Sequence, residues 1–265
     1  GLAGGLTTGV YGLSSVLVPP VANVMIRNWG VSAAFQIIAV CFAVVLLLAS
    51  AFVEQGPEEA GQMLPGGGRD MSWQEMLCQK KFYGMCAMLL CGGLSGMMVI
   101  SSASDMAQVE AGFSPAAAAL MVSVLSLFNA GGRASAGILS DKLGRIGTLS
   151  LVFPISVAAL CALFFFGQDS MAVFAVSIAL VGACFGALMG IFPGFTADEF
   201  GQRNNTVNYG ILFFGFALSG MLGPQVASWV MSGTGSYRSA FLIAAVVALA
   251  GFALTFLHRR LAARS

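Results

Sequence analysis

Long uninterrupted apolar runs dominate this chain. They cover about residues 3 to 26, 33 to 53, 82 to 104, 115 to 139, 147 to 167, 171 to 195, 206 to 232 and 239 to 257. A helix of roughly 20 apolar residues crosses the ~30 Å hydrocarbon core of a bilayer. None of the runs alternates with period two, as strands of a membrane barrel would, so each predicts a spanning α-helix. The fold class expected is an all-α membrane protein. Composition agrees, since 58% hydrophobic and 9% charged residues exclude a soluble globular domain. Twelve Lys+Arg against eleven Asp+Glu leave a net charge of +1 and no basic face for nucleic acid. The partner demanded is the lipid bilayer.

The six cysteines show no paired spacing, and all but Cys78 lie inside apolar runs, where they read as buried, reduced side chains. No metal or cofactor is expected. A membrane-embedded enzyme would need a His, Asp, Ser or Cys cluster near an interface. The sole His, His258, sits beside Arg259 and Arg260 and reads as part of a basic tail.

Basic residues divide unevenly between the connections. One set holds Arg69, Lys80, Lys81, Lys142, Arg145, Arg203, Arg259, Arg260 and Arg264, and the other only Arg27 and Arg238. The first set, with the linker and C-terminus, is therefore expected in the cytoplasm, and the protein in the cytoplasmic membrane. The connection from Glu54 to Lys81 is the one real linker. It has a Pro/Gly-rich hinge (Gly61 to Arg69), then a short amphipathic helix announced by the capping box Ser72 and Glu75.

An internal repeat relates PPVANVMIRNWGVSAAF (Pro19 to Phe35) to GPQVASWVMSGTGSYRSAF (Gly223 to Phe241). Spans one and two then correspond to spans seven and eight, as in transporters built from parallel six-helix repeats. On that period, residues 1–53 are the last two helices of an N-terminal bundle, 54–81 the linker and 82–265 a complete C-terminal bundle with its tail. Eight spanning helices would be present of an expected twelve, the chain being truncated at its N-terminus.

GILSDKLGR (Gly137 to Arg145) resembles the loop signature G-x-x-x-D-K/R-x-G-R of the major facilitator superfamily. RNNTVNYGILF with a downstream G-x-x-G-P (Arg203 to Pro224), the GGR before SD, and the opening GLAGGLTTGVYGLSS are similar to the oxalate:formate antiporter family of anion transporters. The resemblance covers helices five to twelve of such a protein and implies its fold.

Arg133 is the one charge well inside a span. Eight residues before Asp141, it lies about 12 Å from the cytoplasmic end. An intramembrane Arg costs at least about 2.5 to 3.5 kcal/mol, so it should meet a wet cavity or a counter-charge. A small carboxylate is the economical partner, because the guanidinium fork receives it bidentately. Snorkelling to the interface, or pairing with a helix not present here, is the structural alternative. The resemblance also implies a carboxylate-binding Arg at this place in the eighth helix. Where proton-coupled relatives carry Asp, one turn earlier, stands Asn129, and an amide cannot titrate.

In the family's oxalate carrier a second cation follows the N-Y motif by eight residues, a place held here by Phe216. With one cation, a monocarboxylate or a partly apolar acid is favoured over the oxalate dianion. Tyr11 matches a family pocket aromatic, whereas Phe185 and Met189 replace polar-edged ones. The superfamily loop implies a conformational latch of Asp141, Lys142 and Arg145, engaging Asp198 or Glu199. Gly182, Gly186, Gly190 and Gly194 form a row suited to close helix approach. The function expected is secondary transport of small organic anions by alternating access, by a protein working as a monomer once its remaining helices are present. A proton-coupled monocarboxylate symporter and a non-transporting membrane protein are the alternatives.

Overall fold

The computed structural model describes residues 2–52 and 70–262, with side chains from Val18 to Arg260 apart from 19, 20, 23 and 53–69. Tyr11 and the Gly61–Arg69 hinge therefore lie outside the described side chains. Among the described residues the regular structure is entirely helical. The helices are α1 (Leu2–Ser50), α2 (Trp73–Leu77), α3 (Lys80–Ile100), α4 (Ala103–Ala111), α5 (Pro115–Leu143), α6 (Arg145–Phe166), α7 (Met171–Phe200), α8 (Asn205–Leu212), α9 (Phe214–Thr234) and α10 (Arg238–Ala262). Seven described stretches are long and apolar enough to cross a membrane, beginning at Val24–Ser50 and ending at Arg238–Arg260. The fold is that of an all-α membrane protein.

The boundaries differ from the apolar runs where local chemistry intervenes. α1 joins the first two expected spans without a loop, but Gly30 breaks it with φ 80° and ψ 167°, a left-handed conformation that glycine adopts without strain. The third run divides into α3 and α4 at Ser101–Ser102. α5 is started by Ser114, whose hydroxyl accepts from the Ala117 N–H at 3.3 Å, and by Pro115 in its first turn. It continues to Leu143, so Asp141 and Lys142 stand in helix rather than in the expected loop, and Gly144 alone separates α5 from α6. The seventh run holds α8 and α9, which follow one another through Phe213 with helical backbone angles, so that Asn205–Thr234 remains one stretch long enough to cross a membrane. α2 carries the complete predicted capping box: the Glu75 carboxylate accepts from the Ser72 N–H at 2.8 Å, and the Ser72 hydroxyl from the Glu75 N–H at 3.4 Å.

The chain packs as two compact units, Ser14–Gly67 and, with Gly1–Leu13, the larger Gly68–Ser265. The larger unit is organised by close helix pairs. α5 and α7 make the most extensive pair. A Cβ at Gly182 would stand 2.7 Å from the Leu125 carbonyl oxygen, one at Gly190 would stand 2.6 Å from that of Arg133, and one at Gly186 would overlap that of Asn129. The matched numbers rise together, so the two helices run parallel with a fixed four-residue register. In lipid, where apolar burial gives helices little reason to associate, such backbone-to-backbone approach supplies the van der Waals contact that does. α3 and α9 pair in the same sense, Gly93 against Ser219 and Gly223 against Met97. α6 and α10 pair antiparallel, Phe153 against Gly251 and Ser150 against Thr255.

Candidate functional site

Arg133 is 8% exposed on α5, and its Nε donates to Asn129 Oδ1 at 2.9 Å. The two are one turn apart, so the helix itself sets their distance. Asn129 is equally buried and offers its amide oxygen to the guanidinium. Because the carbonyls of both residues lie against Gly186 and Gly190, the height of the pair is fixed against α7. Phe185 and Met189 stand immediately before those glycines and are buried at 6% and 4% exposure. α7 thus brings both to the level of the Asn129–Arg133 pair.

Phe216, in the first turns of α9, meets Phe185 with ring centroids 5.8 Å apart. The contacts continue through Phe213 at 4.6 Å from Phe216 and Tyr209 at 5.4 Å from Phe213. Tyr209 and Phe213 both lie in the motif RNNTVNYGILF but carried no pocket role in the sequence reading, although their i, i+4 spacing is a readable signal. A shallow apolar hollow of about 380 Å³ lies beside the pair, lined by Leu127, Phe128, Gly131, Gly132, Ser135 and Ala183. Arg133 does not line it, and no charged group does.

One end of the larger unit is rich in charge. The Arg145 guanidinium donates to Asp198 Oδ2 at 2.7 Å, Asp141 Oδ1 at 3.1 Å and Ser140 Oγ at 2.6 Å. Its charged centre also lies where a Cβ of Gly194 would come within 3.0 Å, so the last member of the glycine row faces this cluster. Lys142 is exposed and forms no ion pair among the described residues. Of the two carboxylates expected to meet the latch, Asp198 does so, whereas Glu199 pairs with Lys81 at 3.2 Å and contacts His258 Nε2 at 3.4 Å. His258, expected in an exposed tail, is 1% exposed and packs edge-on against Phe195 at 5.2 Å. α10 runs on past it and turns this residue inward while Arg259 and Arg260 point out. Of the cysteines, all free, only Cys184 is fully buried, and Cys41 is exposed like Cys78.

The opposite end is tied by one carboxylate. Glu110, 7% exposed at the end of α4, accepts from Gln168 Nε2 at 2.6 Å, from Ser236 Oγ at 3.2 Å and from the Tyr237 N–H. It fastens α4 to the α6–α7 and α9–α10 connections.

A buried, helix-positioned Arg among membrane-crossing helices packed by glycine rows is the setting in which the comparisons with known proteins fall. The chain is 29% identical over 219 residues to an uncharacterized MFS-type transporter, YhjX, of Escherichia coli (strain K12), covering 82% of the chain and 54% of that protein. It is 27% identical over 264 residues to the oxalate:formate antiporter of Oxalobacter formigenes, covering 98% of the chain and 62% of that protein. It is 27% identical over 150 residues to monocarboxylate transporter 12 of Xenopus laevis, covering 56% and 31%. The chain thus spans between half and two thirds of the length of the first two relatives. The family profile matches residues 1–224, five sixths of the sequence, and the chain belongs to the Major Facilitator Superfamily.

Proposed function

We propose that this chain serves a secondary transporter of small organic anions, in which Arg133 receives the substrate carboxylate during alternating access. The observation that carries the reading is the Arg133–Asn129 pair, buried within a membrane-crossing helix at a height fixed by Gly186 and Gly190. A guanidinium in that setting is desolvated at a cost that an anionic ligand offsets. The oxalate:formate antiporter and the monocarboxylate transporter among the relatives support an anionic cargo.

Within that class a monocarboxylate, or an acid with an apolar tail, fits better than oxalate. Phe216 occupies the place of a second cation and closes an aromatic wall with Phe185 and Phe213. A dianion facing one guanidinium would leave a desolvated negative charge unpaired. Asn129 has no proton to exchange, which supports anion exchange over proton symport through this pair. Residues 1–53 then serve as two helices of one bundle and 82–265 as the other, in the cytoplasmic membrane with the linker and C-terminus on the cytoplasmic side and the monomer as the working unit. Asp141, Lys142 and Arg145 serve as its conformational latch, and Tyr11 as a further wall of the pocket. This is transport and not enzymatic catalysis.

The test is exchange of labelled formate, acetate, benzoate and oxalate by the full-length protein in proteoliposomes, compared with Arg133→Gln. Exchange of a monocarboxylate that drops at least about a hundredfold in the variant is expected, as for loss of a desolvated charge partner. Undiminished exchange in Arg133→Gln would sink the site.

A further inference from the structure

The motif R-N-N-T-V-N-Y does more than begin a helix. Asn204, the N-cap of α8, and Asn208, one turn further, both donate from their side-chain amides to one acceptor, the Met71 carbonyl oxygen, each at 3.1 Å. The neighbouring chain is laced to the same place. The Met71 N–H donates to the Phe200 carbonyl at 2.9 Å, and the Arg203 N–H to Asp70 Oδ1 at 3.1 Å. Gly201 makes this approach possible: its φ is +92°, and a Cβ there would stand 2.6 Å from the Asp70 Cα. The last residues of the linker, leading into α2, are therefore docked on the junction between α7 and α8.

Two features make this more than a staple. Asn208 is fully buried, yet its Oδ1 has no hydrogen-bond partner. A buried amide satisfied on one side only carries an uncompensated desolvation cost here, and is suited to change partners in another arrangement. Asn208 also precedes Tyr209, the start of the aromatic string to Phe216, and α8 runs on into α9 through Phe213, whose backbone stays helical at φ −64° and ψ −11°. One continuous helical stretch thus carries the linker contact at its start and the aromatic wall two to three turns further on.

We infer that Asn204 and Asn208 form a positioning clamp for transport, coupling α8 to the linker segment Asp70–Cys78 so that a change at the anion site is passed to the linker. The inference rests on Arg133 being that site. Loss of the clamp should slow the conformational step and leave ligand binding intact, which separates kcat from KM.

The experiment compares the full-length parent with Asn208→Ala, Asn204→Ala, Gly201→Ala and Arg133→Gln in proteoliposomes, with formate, acetate and benzoate as exchange probes. In a Cys41→Ser background, the maleimide reactivity of the exposed Cys78 at the end of α2 reports the linker. For Asn208→Ala, kcat is expected to fall at least about fivefold with KM within about twofold. Saturating probe should change the Cys78 labelling rate in the parent and no longer do so in the variant. Asn204→Ala, which retains the Asn208 bond, should show a smaller loss in the same direction, and Gly201→Ala the Asn208 phenotype from the other partner. Parental kcat and probe-dependent labelling in Asn208→Ala, with exchange abolished in Arg133→Gln, overturn the clamp alone. Undiminished exchange in Arg133→Gln overturns the anion site on which both readings stand.

Discussion

The two ends of the larger unit are fastened in opposite ways. At one, charges are many and shared: Arg145 engages Asp141 and Asp198, and Glu199 engages Lys81 and His258. Asp198 is 53% exposed there, and Asp141 43%. At the other, Glu110 alone holds three donors, and it is 7% exposed. Solvent-exposed ion pairs contribute little, because water and salt screen them and long side chains lose freedom. A buried carboxylate with every donor facing it contributes more per bond, and its removal strands those donors. The end with more ion pairs is therefore the one whose individual contacts are easier to release.

Substitutions rank accordingly. Glu110→Ala should be the most destabilising, on the order of 3 kcal/mol, since Gln168, Ser236 and the Tyr237 N–H lose their acceptor together. Glu110→Gln, which keeps the shape and one acceptor oxygen, should recover about half of that. Denaturant-induced unfolding in mixed micelles reads both, and parity between Glu110→Ala and Asp198→Asn would erase the contrast. Glu199→Ala comes next at about 1–2 kcal/mol, leaving Lys81 and His258 without their shared carboxylate. His258→Phe separates packing from charge: the ring against Phe195 is kept and a buried orphan Nδ1 is removed. Its unfolding free energy should stay within about 1 kcal/mol of the parent. Asp198→Asn is expected to cost less than about 1 kcal/mol, with the difference vanishing as salt rises.

Much of this was legible in the sequence and some was not, for identifiable reasons. The helices follow from run length, and the Arg133–Asn129 contact from i, i+4 spacing, both local properties. The inward turn of His258 was also available: Ala244, Ala248, Gly251, Thr255 and His258 recur at helical spacing and are all buried, but the adjacent arginines suggested a tail. Glu110 was not legible. It sits in a short polar stretch between apolar runs, and its donors lie 58, 126 and 127 residues away. Asn204 and Asn208 were visible as a motif, but their common acceptor is a main-chain carbonyl 133 and 137 residues earlier, which carries no side-chain signature.

The four-residue register between α5 and α7 has a mechanical consequence. Carbonyls of Leu125, Asn129 and Arg133 rest where Gly182, Gly186 and Gly190 carry no side chain. Any slide short of four residues, about 6 Å, drives those oxygens into residues that do. The two helices must travel as a single beam. In the transporter proposed above, Arg133 could then not be raised or lowered to suit a longer or shorter anion, and adjustment to cargo would fall to the rotamers of Phe185, Met189 and Phe216.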